Sequence, residues 1–543
     1  MTQRGRGFLR LFSLCTAVNV FLLYKIHFTG NLRDSWRSNY VEPFCAGDIP
    51  VLLLLFLVSV PVCEWLGTKA LPWLSGRVKL TNQGNGRDGI VMEDGPDGRG
   101  VRRRFWKVFG AIGMVWFFFF LVMYPGTAMN DTIYILQDPW LASRQHPILY
   151  NMYTYGLYRL GTMIWNENFG LALISLLQMA AMDYVLTYGI LLLSRCGFKD
   201  WVCRLTTAYF ALAPLFSTYA VSAIKDTPFS IFLFYLLVLL LDAGLGQNEA
   251  WKDKWFCVRV ACCYLGVLAF RSNGFVVVAG TVLVLLFVYR KWRRRILGTA
   301  FAAAVVYFGM SRALSPENVE KLFQESAGIP LQQVASVAAR GEGLGREQRE
   351  YLYRLLPEEK WDLYAPCCAD VIKWDEAFDR QFLNETKKEF LLLWLDLLPE
   401  NLDQYVRAYL LNTFGVWGIE TRNREQYYQK DIFENSLNLY QESPLPQGIR
   451  TFFYRYYCNR FTYSFLSAGT VFWILFAESL YLLCRRRYRL AAVYVPVWLC
   501  FVSLMLATPI AFTFRYVFVL AMVFPFALLF PFAGELFTER KKL

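Results

Sequence analysis

The sequence predicts an all-α, multi-pass membrane protein, a bundle of about twelve transmembrane helices with a mostly helical insert outside the membrane. Three observations predict it. Of 543 residues, 56 % are hydrophobic and only 18 % charged, where soluble domains carry about 25 % charged residues. Mean hydropathy is +0.31. Apolar stretches close to the ~20 residues that cross a bilayer recur along the chain. A disordered protein, a coiled coil and an ordinary soluble enzyme are excluded.

Twelve stretches read as spans: 8–28, 49–68, 106–124, 168–194, 205–221, 228–243, 255–270, 275–290, 296–314, 462–483, 490–507 and 516–533. Lys25-Ile26-His27 interrupts the end of the first, and no small-x-small site follows, so it reads as an anchor rather than a cleaved signal. A further apolar stretch, 147–163, follows His146-Pro147 and is rich in Tyr and Met; it reads as a helix in, or dipping into, the interface. Four units result: a two-helix segment with a basic loop (1–105), a membrane core (106–314), an extracytoplasmic insert (315–461) and C-terminal membrane helices (462–543).

The net charge is +13. Its placement argues against nucleic acid. Arg102-Arg103-Arg104, Lys291-Trp292-Arg293-Arg294-Arg295, Arg485-Arg486-Arg487 and Arg540-Lys541-Lys542 each abut an apolar stretch, as cytoplasmic ends of spans do. Arg4, Arg6 and Arg10 set the N-terminus inside, and every strongly basic cluster then falls on that side, the C-terminal one included. Segment 69–105, with the loop composition of Thr81 to Gly86, is also inside. The 13 Cys lie largely in apolar runs, as at Cys15, Cys63, Cys262 and Cys500. With only His27 and His146, a multi-His metal site within one chain is not available.

The outside then holds loops 125–146, 222–227, 271–274 and 508–515, and the insert. In the insert, Ser315-Pro316-Glu317 predicts a helix start. Asn384 to Leu398 predicts an amphipathic helix ending at Pro399, with Phe390 to Trp394 resting on the membrane surface.

The unusual polar residues gather in these outer loops: Asn130-Asp131, Gln137-Asp138 and His146 in the first, Lys225-Asp226 in the second, Arg271 and Asn273 in the third, Arg515 in the last. Charges at the edge of a membrane bundle are costly and are functional candidates. A carboxylate can take a proton from an acceptor hydroxyl, and Arg and Lys can hold a departing phosphate. At an outer leaflet the natural phosphate donor is a lipid, and a sugar on a polyprenyl phosphate fits. Each residue also has a structural reading. Asp131 suits a helix cap, Asp138 before Pro139 a turn, Lys225-Asp226 a local ion pair, and Arg271 and Arg515 snorkelling ends. Asp183, mid-span, suits a helix–helix contact or a proton path.

This arrangement resembles the GT-C superfamily of multi-pass glycosyltransferases, which includes protein O-mannosyltransferases and lipid A aminoarabinose transferases; within it the likeness is to a bacterial membrane family. The shared features are an acid in a long first outer loop, a following His-Pro or Pro-Pro, an acid in the next outer loop and a soluble outer insert. The likeness is best over 106–290. It implies a GT-C-like bundle, Asp131 as general base, and Asp226 as a second acid that orients substrate or helps hold a divalent cation. From their charge and their side of the membrane, rather than from the likeness, Lys225, Arg271 and Arg515 are expected to contact the lipid phosphate, and Asn130, Gln137, Asp138, His146 and Asn273 to line the substrate site. The expected partners are a polyprenyl-phosphate-linked sugar and a glycan, lipid or protein acceptor of the cell envelope. Three departures stand out: Asn130 occupies the place of a second acid, His146-Pro147-Ile148-Leu149 replaces Pro-Pro-Leu, and Trp-Trp-Asp is absent. A transporter or lipid flippase, centred on Asp183, and a polysaccharide polymerase or ligase are the rival classes.

Overall fold

The computed structural model describes residues 3–66, 69, 99–245, 249–316, 320–341, 343–419, 431–457, 467–484, 486–507, 510–511 and 513–533. These residues form an all-α structure, with one two-residue hairpin pairing Ile26–His27 to Tyr40–Val41. Seven of the described helices are long and apolar enough to cross a membrane: Gly7–Lys25, Asp48–Trp65, Arg99–Val122, Glu167–Arg195, Asp226–Gly244, Arg290–Leu314 and Tyr488–Ala507. Gly274–Val288, Ala468–Cys484 and Phe514–Leu529 are shorter apolar helices. Most of the basic loop 69–105, Arg485 and Arg540-Lys541-Lys542 lie outside the described residues.

Of the remaining two predicted spans, one forms as expected and one is broken. Stretch 255–270 is a 17-residue helix, Lys254–Phe270, capped by Asp253, whose carboxylate accepts the N–H groups of Trp255 and Phe256 at 3.0 and 3.2 Å. Stretch 205–221 is not one helix. It breaks into Asp200–Leu212 and Pro214–Val221. Pro214 has no N–H to donate and its ring clashes with the carbonyl a turn earlier, so the first helix ends before it.

Glu167–Arg195 and Asp226–Leu245 form the axis of the bundle and pack on each other. Both are apolar all round, as a helix enclosed by others must be; Leu186, Leu193, Leu233, Leu236 and Leu237 are buried. Outer helices instead expose Leu54, Leu57, Phe301 and Phe308, a surface suited to hydrocarbon. Stretch 147–163 is the helix Ile148–Ile164, packed along Glu167–Arg195.

The insert has its own core of Leu331, Val334, Leu352, Trp361, Ile372, Phe390 and Tyr405. Two expectations change there. Ser315 caps the end of the helix Arg293–Leu314, donating its N–H to Ser311 O at 2.9 Å; the helix start expected from Ser315-Pro316-Glu317 runs into residues 317–319, outside the described residues. The run from Asn384 is split at Thr386 into Arg380–Glu385 and Lys387–Leu397. Phe390 faces the insert's core rather than a membrane surface, while Leu391 and Leu392 stay exposed.

Candidate functional site

Four loops meet at one end of the bundle, where Arg99–Val122 finishes. The first and second are laced together. Thr127 N–H donates to Val221 O at 3.1 Å, Ala223 N–H donates to Thr127 O at 2.9 Å, and the hydroxyls of Thr127 and Ser222 lie 2.8 Å apart. Pro214–Val221 ends here, which leaves its last carbonyls without helical partners. Glu167–Arg195 supplies them from below. The Gln178 amide donates to Tyr219 O, Ala220 O and Ser222 O at 2.8, 3.1 and 2.9 Å. Ser175 Oγ donates to Val221 O at 3.0 Å.

Gly126 sits in this seam with φ +122°, and an added Cβ would lie 2.2 Å from Ser175 Oγ and 2.7 Å from Val221 O. Gly126→Ala is therefore expected to destabilise the protein by more than the ~1–3 kcal/mol of such a backbone conformation alone. The thermal midpoint of the detergent-solubilised chain checks this; an unchanged midpoint contradicts the close approach.

The insert also joins the seam. Phe433 N–H donates to Ala128 O and Ala511 N–H to Cys367 O, both at 2.9 Å. Lys321 Nζ hydrogen-bonds Ser143 O and lies 3.3 Å from His146 O. Thr508, Pro509 and Phe512 of the last loop lie outside the described residues.

Six of the predicted residues come together in this frame: Asp131, His146, Lys225, Asp226, Arg271 and Arg515. Two carboxylates face four permanent or potential cations, and the carboxylates are not alike. Asp226 is 1 % exposed, hydrogen-bonded by Arg271, and 3.9 Å from Arg515 Nε. It is locked between two guanidinium groups. The Arg271 guanidinium also lies 4.7 Å from the centre of the Tyr516 ring. Asp131, in the first turn of Asn130–Gln137, is 39 % exposed and 3.7 Å from Arg515 Nη1. It is the open carboxylate of the pair.

Electrostatics separate the groups further. Burial opposes the charge on Asp131, but Arg515, Lys225 and His146 outweigh it and hold its pKa down at about 2. Burial, then the Lys225 charge, push His146 down to about 3, so its imidazole is neutral at ordinary pH. Lys225 Nζ lies 2.7 Å from His146 Nδ1. A protonated Lys225 donates there and leaves the imidazole proton on Nε2. That Nε2 is buried and has no hydrogen-bond partner among the described residues. Burial lowers the pKa of Lys225, with Asp131 and Asp226 offsetting part of it.

The other predicted residues stand apart. Asp138 is a turn residue, accepting the N–H groups of Trp140 and Leu141 at 3.0 and 2.8 Å. Gln137 donates to Ser436 Oγ at 3.1 Å, Asn273 to Ser503 Oγ at 2.7 Å, and Asn130 is exposed. Asp183 lies about 12 Å along its helix from Ser175 and accepts from Thr187 at 3.2 Å. Asp226, with a guanidinium on each side, is a poor ligand for a divalent cation, which would meet those charges first.

Sequence reasoning missed Lys321 and Lys373. Lys373 is buried against Asp370 and Glu325 at 2.9 and 3.1 Å, and its charge reaches Asp131. Both stand in a charge-rich insert, where nothing sets one lysine apart. Ser175 and Gln178 were more legible, as polar residues i, i+3 on one face of an apolar helix.

Residues 133–541 match the model of a family of unknown function (DUF6020), and the chain belongs to that family. The matched stretch contains Lys225, Asp226, Arg271 and Arg515 and begins just after Asp131. No curated protein and no solved structure matches the chain.

Proposed function

We propose that this family member is a glycosyltransferase that moves a sugar from a polyprenyl-phosphate donor to an acceptor hydroxyl. The observation that carries the reading is the convergence of four sequence-distant loops on one open carboxylate ringed by cations. In the proposed site Arg515 and Lys225 bind the donor phosphate, while Arg271 and Asp226 hold Arg515 and the loop in place. Asp131 accepts the acceptor's proton as that oxygen attacks the anomeric carbon. The bond from that carbon to the phosphate oxygen breaks, and polyprenyl phosphate leaves carrying the electron pair. The anomeric configuration inverts.

A carboxylate near pKa 2 is a weak base. Phosphate binding answers this, because it takes up the positive charge of Arg515 and Lys225 and so relieves Asp131. His146 Nε2–H is a free donor for the same phosphate or for the sugar.

The plasma (inner) membrane is the proposed location, with termini cytoplasmic and the cluster extracytoplasmic. Support comes from Arg103-Arg104, Lys291 to Arg295 and Arg486-Arg487, which sit at the end of the bundle away from the cluster. The acceptor class is a glycan, lipid or protein of the cell envelope.

Lipid mass spectrometry on membranes with and without the chain tests the function. One polyprenyl-phosphate sugar is expected to be depleted where the chain is present. Identical pools at equal expression would remove the reading. A pH profile tests the charge states. Because kcat/KM reports the free enzyme, it should stay level through about pH 5 to 8, where an ordinary His titrates. It should fall on the alkaline side, earlier than an ordinary lysine would dictate, as buried Lys225 loses its proton. A step near pH 6.5 would contradict the Lys225–His146 pairing.

A further inference from the structure

The end of the bundle away from the charged cluster carries a cleft of its own. The helix Arg99–Val122 runs 24 residues, about 36 Å, from this end to the loop seam. Its first turns pack beside the start of Asp200–Leu212. Between them lies a cleft of about 420 Å³ lined by Gly100, Arg103, Arg104, Lys107, Asp200 and Arg204. Helical spacing makes the lining. Positions 100, 103, 104 and 107 share one face, and 200 and 204 share another.

Four cations meet one carboxylate in this cleft. Asp200 is paired with Arg104 at 2.5 Å. Arg103, Lys107 and Arg204 are exposed, and among the described residues none of them has an ion-pair partner. Solitary surface cations need no explanation, but three unanswered charges around one concave wall repel each other and suit an anion.

What lies beyond the cations selects the kind of anion. The stripe 100–103–107 continues through Gly110 and Met114. An added Cβ at Gly100 or Gly110 would meet nothing within 4 Å, so this face is uncovered at the cleft and one turn beyond it. Met114 is 74 % exposed and Leu205, one residue past Arg204, is 62 % exposed. Trp106 and Trp201 flank the charged level and are also exposed, the placement of Trp at a polar–apolar boundary.

We infer that this cleft binds the phosphodiester headgroup of an anionic phospholipid, with its acyl chains along Gly110 and Met114. Arg103 and Arg204 present forks that match phosphate oxygens, and Lys107 adds a point charge. Basic pockets between spans are known to hold such headgroups. The site rests on the chain lying in a membrane, not on the transferase reading.

Native mass spectrometry of the full chain in detergent tests it, with dioleoyl phosphatidylglycerol, dioleoyl phosphatidylcholine and inorganic phosphate as probes. Phosphatidylglycerol should be retained in preference to phosphatidylcholine. The preference should fall roughly fivefold for each cation removed, first in Arg103→Gln and further in Arg103→Gln with Arg204→Gln. Inorganic phosphate should compete weakly. Equal retention of the two lipids, or an undiminished preference in the double variant, overturns the proposal. Complete displacement by inorganic phosphate overturns its lipid part and makes this a soluble-anion site. Lys107→Gln provides a second variant if the double one loses its helical content.

Discussion

Asp131→Asn is expected to lower sugar transfer by about 10²- to 10⁴-fold, the usual contribution of a general base, while leaving the fold intact. The geometry explains why the two effects separate. Asp131 is 39 % exposed and its contact with Arg515 is 3.7 Å, longer than a hydrogen bond. The partly exposed pair is screened by solvent, so losing the charge costs less than losing a buried pair does. Asn keeps the size and the helix-start position. What it loses is the charge that accepts a proton. In lipid mass spectrometry the donor consumed by the wild type should therefore accumulate with Asp131→Asn. In purified protein the thermal midpoint should fall only modestly, by less than for Asp226→Ala, and the helical content should be retained. A well-folded Asn variant with full transfer would remove Asp131 from the chemistry.

Asp226→Ala should do the reverse, damaging the fold first. Asp226 is 1 % exposed, with Arg271 hydrogen-bonded to it and Arg515 at 3.9 Å. Removing one partner of a buried ion pair leaves the other charge unanswered and costs about 3–5 kcal/mol. The loss should appear as a large fall in the thermal midpoint of the detergent-solubilised chain. Pairing Asp226→Ala with Arg271→Met should recover much of it, because the Arg271 guanidinium, which lies over the Phe229 and Tyr516 rings, is then no longer stranded. If Asp226→Ala melts with the wild type, the lock between the two arginines is not what holds this end together.

The contrast between these carboxylates marks the limit of the sequence. Both appear there as acids in loops beside apolar spans, with nearly the same claim to chemistry. Which one is open depends on Arg271 and Arg515, 45 residues beyond Asp226 and in the last loop respectively. Lys225 and His146 are 79 residues apart, and no local pattern pairs them. Asp138 was more legible, because an acid before Pro139 has a turn chemistry of its own.

By itself the sequence determined the all-α class and most of the apolar helices, since a long run without charge has few alternatives to burial in hydrocarbon or protein. It also determined where the charged loops stand, because so few charges interrupt those runs. Only the tertiary structure decided that 205–221 divides at Pro214, that Gln178 carries the carbonyls at the far end of Pro214–Val221, and that the insert brings Lys321 and Lys373 to the site. These depend on contacts between distant segments. Their free energy comes from packing and from satisfying buried polar groups, and neither is written in the spacing of residues along one helix.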